Sequence, residues 1–205
     1  MANRKKKMDK LVVIDLEATC YEGGFPRGEQ QEIIEIGVCL LDLKTLKVEN
    51  PQGLIVKPTM SRVSPFCTQL TTLTQEFVDK GMTLSEAMAI LEKDYEIDKR
   101  TWGSWGDFDR KLISRDCAAK GIQFPGETRT HVNIKNVVAI ELGLDKELGM
   151  DAGCELFNLK LEGTHHRGVD DAKNIAKIYR LHMARARGYI HAQPPVSLNQ
   201  VDWYH

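Results

Sequence analysis

Apolar and polar positions near the start of the chain alternate with the period of a strand. In LVVIDLEATC, Leu11 to Cys20, alternate residues share a face. Leu11, Val13, Asp15, Glu17 and Thr19 fall on one side, and Val12, Ile14, Leu16, Ala18 and Cys20 on the other. The second side reads as core. The first begins as core and ends with two carboxylates. A Gly- and Pro-containing loop, YEGGFPRGEQ, separates this strand from a second in EIIEIGVCLLDL, Glu32 to Leu43. A third is expected over GLIVKP, Gly53 to Pro58, closed by Pro58 because proline cannot donate to a ladder. The short polar turn around Lys44 to Lys47 predicts antiparallel pairing of the second and third strands.

From Thr72 the period becomes helical. TLTQEFVDKG ends in a glycine suited to a helix C-cap, and TLSEAMAILEKDYE opens with Thr83 and Glu86 spaced as a capping box. RTWGSWG, Arg100 to Gly106, reads as a short strand running into the helix DFDRKLISRDCAAKG, which Gly121 stops. FPGETRTH is expected as a loop, VNIKNVVAIELG and CELFNLKLEG as helical stretches, and Gly168 to about Arg187 as a long final helix. Early strands followed by alternating strand and helix give an α/β domain with a central sheet.

The 205 residues suffice for one domain with a sizeable core. Residues 1–10 are expected as a basic, solvated tail, 11–187 as the folded domain and 188–205 as a C-terminal tail. With 28 Lys plus Arg against 29 Asp plus Glu, the net charge excludes a generic nucleic-acid coating protein but not an enzyme with a local basic track. No apolar run of signal or membrane-spanning length is seen, so a cytoplasmic protein without a membrane partner is expected. Five scattered cysteines (Cys20, Cys39, Cys67, Cys117, Cys154) read as reduced structural thiols, since a zinc site needs clustered ligands.

The acids carry the chemistry. In VDDAKNIAKIYRLHMARAR, Asp171, Ile175 and Ile178 lie on one arc, with Lys173, Lys177 and Arg180 opposite. Asp171 therefore borders the core-facing stripe, while Asp170 is turned away by ~100°. Asp107 and Asp109 open the helix after the fourth strand, where a single acid suffices as a cap. An unpaired carboxylate in a low-dielectric site costs several kcal/mol or shifts its pKa until it is neutral. Divalent cations make such a cluster tolerable, and oxygen-rich sites suit Mg²⁺ or Mn²⁺. Two ions ~3.5–4 Å apart can clamp the attacking and leaving oxygens of a phosphodiester. His166, five residues before Asp171 in a Gly-flanked loop, offers a general base, since imidazole titrates near neutral pH.

Asp-x-Glu after an apolar strand, Phe-Asp opening a helix after a strand, and His-x-x-x-x-Asp opening a late helix resemble the three motifs of the DEDDh 3′→5′ exonucleases, the RNase T-like superfamily. The stretches VVIDLEATC, QEIIEIGVCLLD, VKPTMSRVSPFCTQLTTLTQEFVD, SWGDFDRKLISRDC and HHRGVDDAKNIAKI, in that order, resemble its enhanced-RNAi, or histone-mRNA 3′-exonuclease, subgroup. The resemblance implies an RNase H-like exonuclease fold over residues 11–187: a central mixed five-stranded sheet flanked by helices. It implies hydrolysis of RNA, with single-stranded DNA as a further substrate, from a free 3′-OH end to nucleoside 5′-monophosphates. Asp15, Glu17, Asp109 and Asp171 would hold two Mg²⁺ or Mn²⁺ ions. His166 would take the proton from the attacking water, and Glu17 would also bond the terminal 3′-OH. Leu16, Thr19 and Phe108 are expected at the terminal sugar and base. Asp109 is preferred to Asp107 because it follows the aromatic residue, and His166 to His165 by its spacing to Asp171. The ten or so residues before the first strand leave no room for the N-terminal nucleic-acid-binding domain of some members, which points to a stand-alone nuclease. A non-catalytic RNA-binding or regulatory protein on the same scaffold is the alternative. No sequence feature fixes an oligomeric state.

Overall fold

A computed structural model describes residues 5–188. The sheet has the order β3-β2-β1-β4-β5. Strand β1 (Lys7–Ala18) runs antiparallel to β2 (Ile33–Asp42), which runs antiparallel to β3 (Val48–Ile55). On its other side β1 pairs in parallel with β4 (Arg100–Ser104), and β4 with β5 (His131–Asn133).

Both faces of β1 are packed, as the alternation predicts. Val12, Ile14, Leu16 and Ala18 join a core with α3 (Leu84–Tyr95) and α4 (Phe108–Ala119). Leu11 and Val13 face α5 (Ile134–Glu141), α6 (Met150–Leu156) and α7 (Gly168–Ala186). The capping box at Thr83 and Glu86 is formed at the start of α3.

Several expected boundaries move. β1 begins at Lys7, inside the expected tail, because Lys7 pairs with Arg100 of β4. β3 starts at Val48 and ends before Pro58, with Val56 only bridging to Met82. The stretch before Thr72 is helical: α1 (Pro65–Thr71) has Ser64 as N-cap and Pro65 in its first turn. The helix expected from Thr72 shrinks to α2 (Gln75–Val78). α6 starts at Met150 rather than Cys154 and ends before Asn158, whose φ of 52° breaks the helix. β5 is three residues at the end of the expected loop, and its last residue, Asn133, caps α5. Of the C-terminal tail, residues 189–205 lie outside the described part of the chain.

Candidate active site

The strand period puts Asp15 and Glu17 on one face of β1, and α7 delivers Asp171 to that face. A close backbone approach makes this possible. A Cβ on Gly37 of β2 would lie 1.8 Å from the Gly168 carbonyl carbon, and one on Gly168 would lie 3.1 Å from the Asp15 carbonyl oxygen. With glycine at both positions the first turn of α7 rests directly on the sheet, and carboxylate oxygens of Asp15, Glu17 and Asp171 come within 4.8 Å of one another.

Asp109 arrives from the opposite layer. It is 5% exposed in the first turn of α4, and its Oδ1 accepts the Leu16 backbone N–H at 3.0 Å. Asp107 occupies the cap position without making a cap bond, and its carboxylate is tied to Arg110 Nε at 3.2 Å. Asp170 likewise points elsewhere, accepting from Thr164 N–H at 2.9 Å and pairing with Lys173 at 2.7 Å.

The loop into α7 holds two imidazoles beside Asp171. The His166 N–H donates to Asp171 Oδ2 at 2.8 Å, with His166 at a φ of 62°. The rings of His165 and His166 stack at 4.0 Å, and both histidines offer a nitrogen within 4.8 Å of an Asp171 oxygen. Burial and the neighbouring His165 hold His166 below the usual imidazole value, so it is a neutral proton acceptor at neutral pH.

The carboxylates are crowded and unneutralised. Burial, then the charges of Asp109, Glu17, Asp171 and Glu35, push Asp15 well above the usual carboxylate range, although part of its surface stays open to solvent. Glu17 is pushed up to about 8 by burial and by Asp171, Glu35 and Asp109. Burial chiefly raises Asp109 to about 6 and Asp171 to about 6. Among the described residues none of these four joins an ion pair with Lys or Arg. Asp171 Oδ1 is buried without a hydrogen-bond partner. An all-oxygen donor set with an orphaned buried oxygen and no cation paired to it fits hard divalent cations.

A fifth acid, Glu35, escaped the sequence reading. It pairs with Glu17 across β1 and β2, is fully buried, and accepts from Arg167 Nε at 3.0 Å and Gly168 N–H at 3.2 Å. It thereby ties the histidine loop to the sheet. Its signal was an acid inside an otherwise apolar strand, the same signal that singled out Asp15.

The three expected substrate contacts are placed differently from one another. Phe108, beside Asp109, is 53% exposed and is not core. The Leu16 side chain belongs to the core on the opposite face of β1 and is 6% exposed. Thr19 departs from the expectation. It is fully buried, its hydroxyl accepts from Glu32 N–H at 2.9 Å, and its own N–H donates to Glu32 O at 2.8 Å. Thr19 braces the loop after β1 and offers no free surface to a sugar.

A family model described as RNase_T, Exonuclease, matches residues 12–179. The chain belongs to this exonuclease family. Human ERI1 exoribonuclease 3 is 29% identical over 192 residues, covering 89% of this chain and 56% of that protein. Human 3'-5' exoribonuclease 1 is 30% identical over 181 residues, covering 83% of this chain and 51% of that protein. The chain thus spans about half the length of these relatives. The nuclease domain of 3'hExo, a DEDDh family member solved bound to rAMP, superposes with a TM-score of 0.80 at 27% identity, covering 88% of this chain and 94% of that one. Within the RNase T family the chain falls in the DEDDh subgroup with the ERI1 and 3'hExo proteins, and its sheet and flanking helices are their RNase H-like arrangement.

Proposed function

We propose that the protein is a divalent-cation-dependent 3′→5′ exoribonuclease that releases nucleoside 5′-monophosphates from a free 3′-OH end. One observation carries this reading. Four carboxylates from β1, α4 and α7 converge without a directly paired cation beside a neutral histidine. A protein that only binds RNA gains nothing from four unneutralised acids, which repel phosphate. The relatives named as exoribonucleases, and the neighbour bound to rAMP, support RNA as substrate.

Asp15, Glu17, Asp109 and Asp171 would hold two ions of the Mg²⁺ or Mn²⁺ class. When bound, such ions supply Lewis acidity at the attacking water and neutralise charge on the leaving oxygen. His166 accepts the water proton, and its backbone bond to Asp171 fixes the loop that presents it. Glu17 accepts a hydrogen bond from the terminal 3′-OH, so that a free end is required. Phe108 covers the terminal base with its exposed ring. Leu16, through its backbone, keeps Asp109 in register with β1. Single-stranded DNA is a weaker substrate in this reading, discriminated through the absent 2′-OH. The five free thiols support a reducing, cytoplasmic setting, and no described helix is long and apolar enough to cross a membrane.

A 3′-labelled single-stranded RNA tests this. With Mg²⁺ the label should appear first as mononucleotide, and EDTA should stop its release. A 3′-phosphorylated RNA should resist; equal cleavage would remove Glu17 from end recognition. His166→Ala should lower turnover by about 10²–10⁴-fold while RNA binding persists. A harmless His166→Ala beside a dead His165→Ala would move the proton-accepting role to His165.

A further inference from the structure

The carboxylate site is assembled largely from two bodies. The sheet supplies Asp15 and Glu17, and α7 with the loop before it supplies His166 and Asp171. That loop is bonded to its own helix several times over. Thr164 N–H donates to Asp170 Oδ2 at 2.9 Å and His166 N–H to Asp171 Oδ2 at 2.8 Å. Glu162 N–H donates to Asn174 Oδ1 at 3.2 Å, and Asn174 Nδ2 returns a bond to Glu162 O at 3.0 Å. Loop and helix are therefore one piece, but none of these bonds sets where the piece lies on the sheet.

At the end nearest the chemistry, the bond to the sheet is made by Glu35. Its Oε2 accepts Arg167 Nε at 3.0 Å and Gly168 N–H at 3.2 Å, and Glu35 stands opposite Glu17 in the β1–β2 register. One turn further along α7 the Cys39 thiol reaches Ala172 O at 3.5 Å, a weak bond by comparison. The contact of Gly37 with Gly168 lets α7 come close, but two glycines carry no direction. Charge-assisted bonds to a guanidinium and a backbone N–H do.

Stability alone does not account for an acid here. Ile33, Ile34, Ile36 and Val38 around it are fully buried, and an apolar residue in place of a buried ion pair is often neutral or stabilising. Glu35 adds repulsion instead, raising Asp15, Glu17 and Asp171 together. Its Oε1 is buried without a hydrogen-bond partner among the described residues. The chain also clears space for the carboxylate: a Cβ on Gly53 of β3 would lie 2.6 Å from Oε1 and 3.3 Å from Val169 Cβ.

We infer that Glu35 is a positioning residue for phosphodiester hydrolysis, holding the His166 and Asp171 piece in register with Asp15 and Glu17 through Arg167 and Gly168. It acts through those two residues and not on the RNA. The reaction it serves is the one proposed above, so the inference rests on that reading.

The full chain tests it by two readouts: kcat and KM on 3′-labelled RNA in Mg²⁺, and calorimetric binding of Mn²⁺ without RNA. Glu35→Ala should lower kcat by about 10–100-fold with KM little changed, and should weaken Mn²⁺ by a similar factor. Glu35→Gln, which keeps the length and one acceptor oxygen, should recover part of both losses. Gly53→Ala, on an exposed edge of the sheet, leaves every charge in place and crowds only the carboxylate. It should lower kcat and Mn²⁺ affinity by about tenfold, and it keeps the test open if Glu35→Ala does not fold. Unchanged kcat and Mn²⁺ affinity in Gly53→Ala would show that charge and not placement matters, and would overturn the inference. So would a lower denaturant midpoint in Glu35→Ala with the kcat of the folded enzyme unchanged. A wild type that hydrolyses RNA beside variants that lose nothing sinks this inference alone. A wild type that hydrolyses no RNA, with Mn²⁺ binding weakened in both variants, sinks the exoribonuclease reading and leaves the positioning of α7 standing.

Discussion

Helix α4 serves two buried acidic groups that differ in one respect. Asp116, two turns beyond Asp109, accepts the Ile33 N–H at 2.9 Å and shares Lys120 with Glu32, at 2.7 and 2.8 Å. Glu32 also accepts from the N–H groups of Thr59, Met60 and Ser61 at 2.9, 2.7 and 2.6 Å. Burial alone would raise Glu32, but Lys120 and these donors win and hold it below its ordinary value. At the other group, burial and mutual repulsion win, and Glu17 rises to about 8. Burial is common to both, so burial is not what marks a site. The absence of a cation paired directly to the acids marks it; Arg167, which draws Glu17 down, is itself bonded to Glu35. Glu32 and Asp116 are finished by the chain itself, whereas Asp15, Glu17, Asp109 and Asp171 wait for something else.

Removing one acid from the unfinished group gives the largest expected effect. Asp171→Asn should lower RNA hydrolysis by about a thousandfold or more, since the Lewis acid it helps to hold is worth several kcal/mol. The same variant should melt no lower than the wild type in EDTA, because an amide oxygen still accepts the His166 N–H and a like charge has gone. Loss of stability in EDTA would make Asp171 a structural acceptor, and the contrast between the two groups would fail.

In the finished group it is the cation whose loss is costly. Lys120→Met leaves two fully buried carboxylates without their partner. The expected cost is about 3–5 kcal/mol, read as a lower denaturant midpoint with or without Mg²⁺. An unchanged midpoint would show that the backbone donors suffice for Glu32.

The unfinished group should also give stability a slope in pH. Its folded pKa values lie above the unfolded ones, so between them the native chain binds more protons than the unfolded chain, and stability falls as pH rises. For Glu17 the window runs from its ordinary 4.5 to about 8. In EDTA the unfolding free energy should decline across that window by an amount on the order of a few kcal/mol, and the melting temperature with it. Saturating Mg²⁺ should flatten the decline. A midpoint that rises between pH 5 and 8 in EDTA would mean that the acids are already paired.

How much of this was legible before the fold was known follows from the range of each interaction. Strand period exposed Asp15 and Glu17, because both faces of β1 are packed and every departure from apolar stands out. Helix period separated Asp171 from Asp170 for the same reason. Glu35 and Glu32 sit in an equally apolar run, but their meaning depends on Arg167 and Lys120, 132 and 88 residues away, and no local pattern carries that. Thr19 was expected at the substrate from the resemblance alone, and its bond to the Glu32 N–H lies across a loop that no local pattern bridges. The short β5 was hidden because three residues are too few to show a period, and α1 was not expected because the helical period is read only from Thr72.

The smallest expected effect sharpens the comparison most, because the chemical change is identical at the two positions. Glu32→Gln replaces an acceptor by an amide whose NH₂ must face donors, so part of the ring of bonds from Thr59, Met60, Ser61 and Lys120 is lost. A cost of about 1–3 kcal/mol is expected. Glu17→Gln removes a charge that burial and neighbouring acids already oppose, so in EDTA at pH 8 it should raise the unfolding free energy by about 1 kcal/mol or more, read as a higher denaturant midpoint. Added Mg²⁺ should then reverse the order, stabilising the wild type and Glu32→Gln more than Glu17→Gln, because only the latter has lost a ligand. Opposite signs without the cation and inversion with it would separate an acid kept for the fold from one kept for chemistry. Equal signs in EDTA would mean that Glu17, like Glu32, is held by the protein alone.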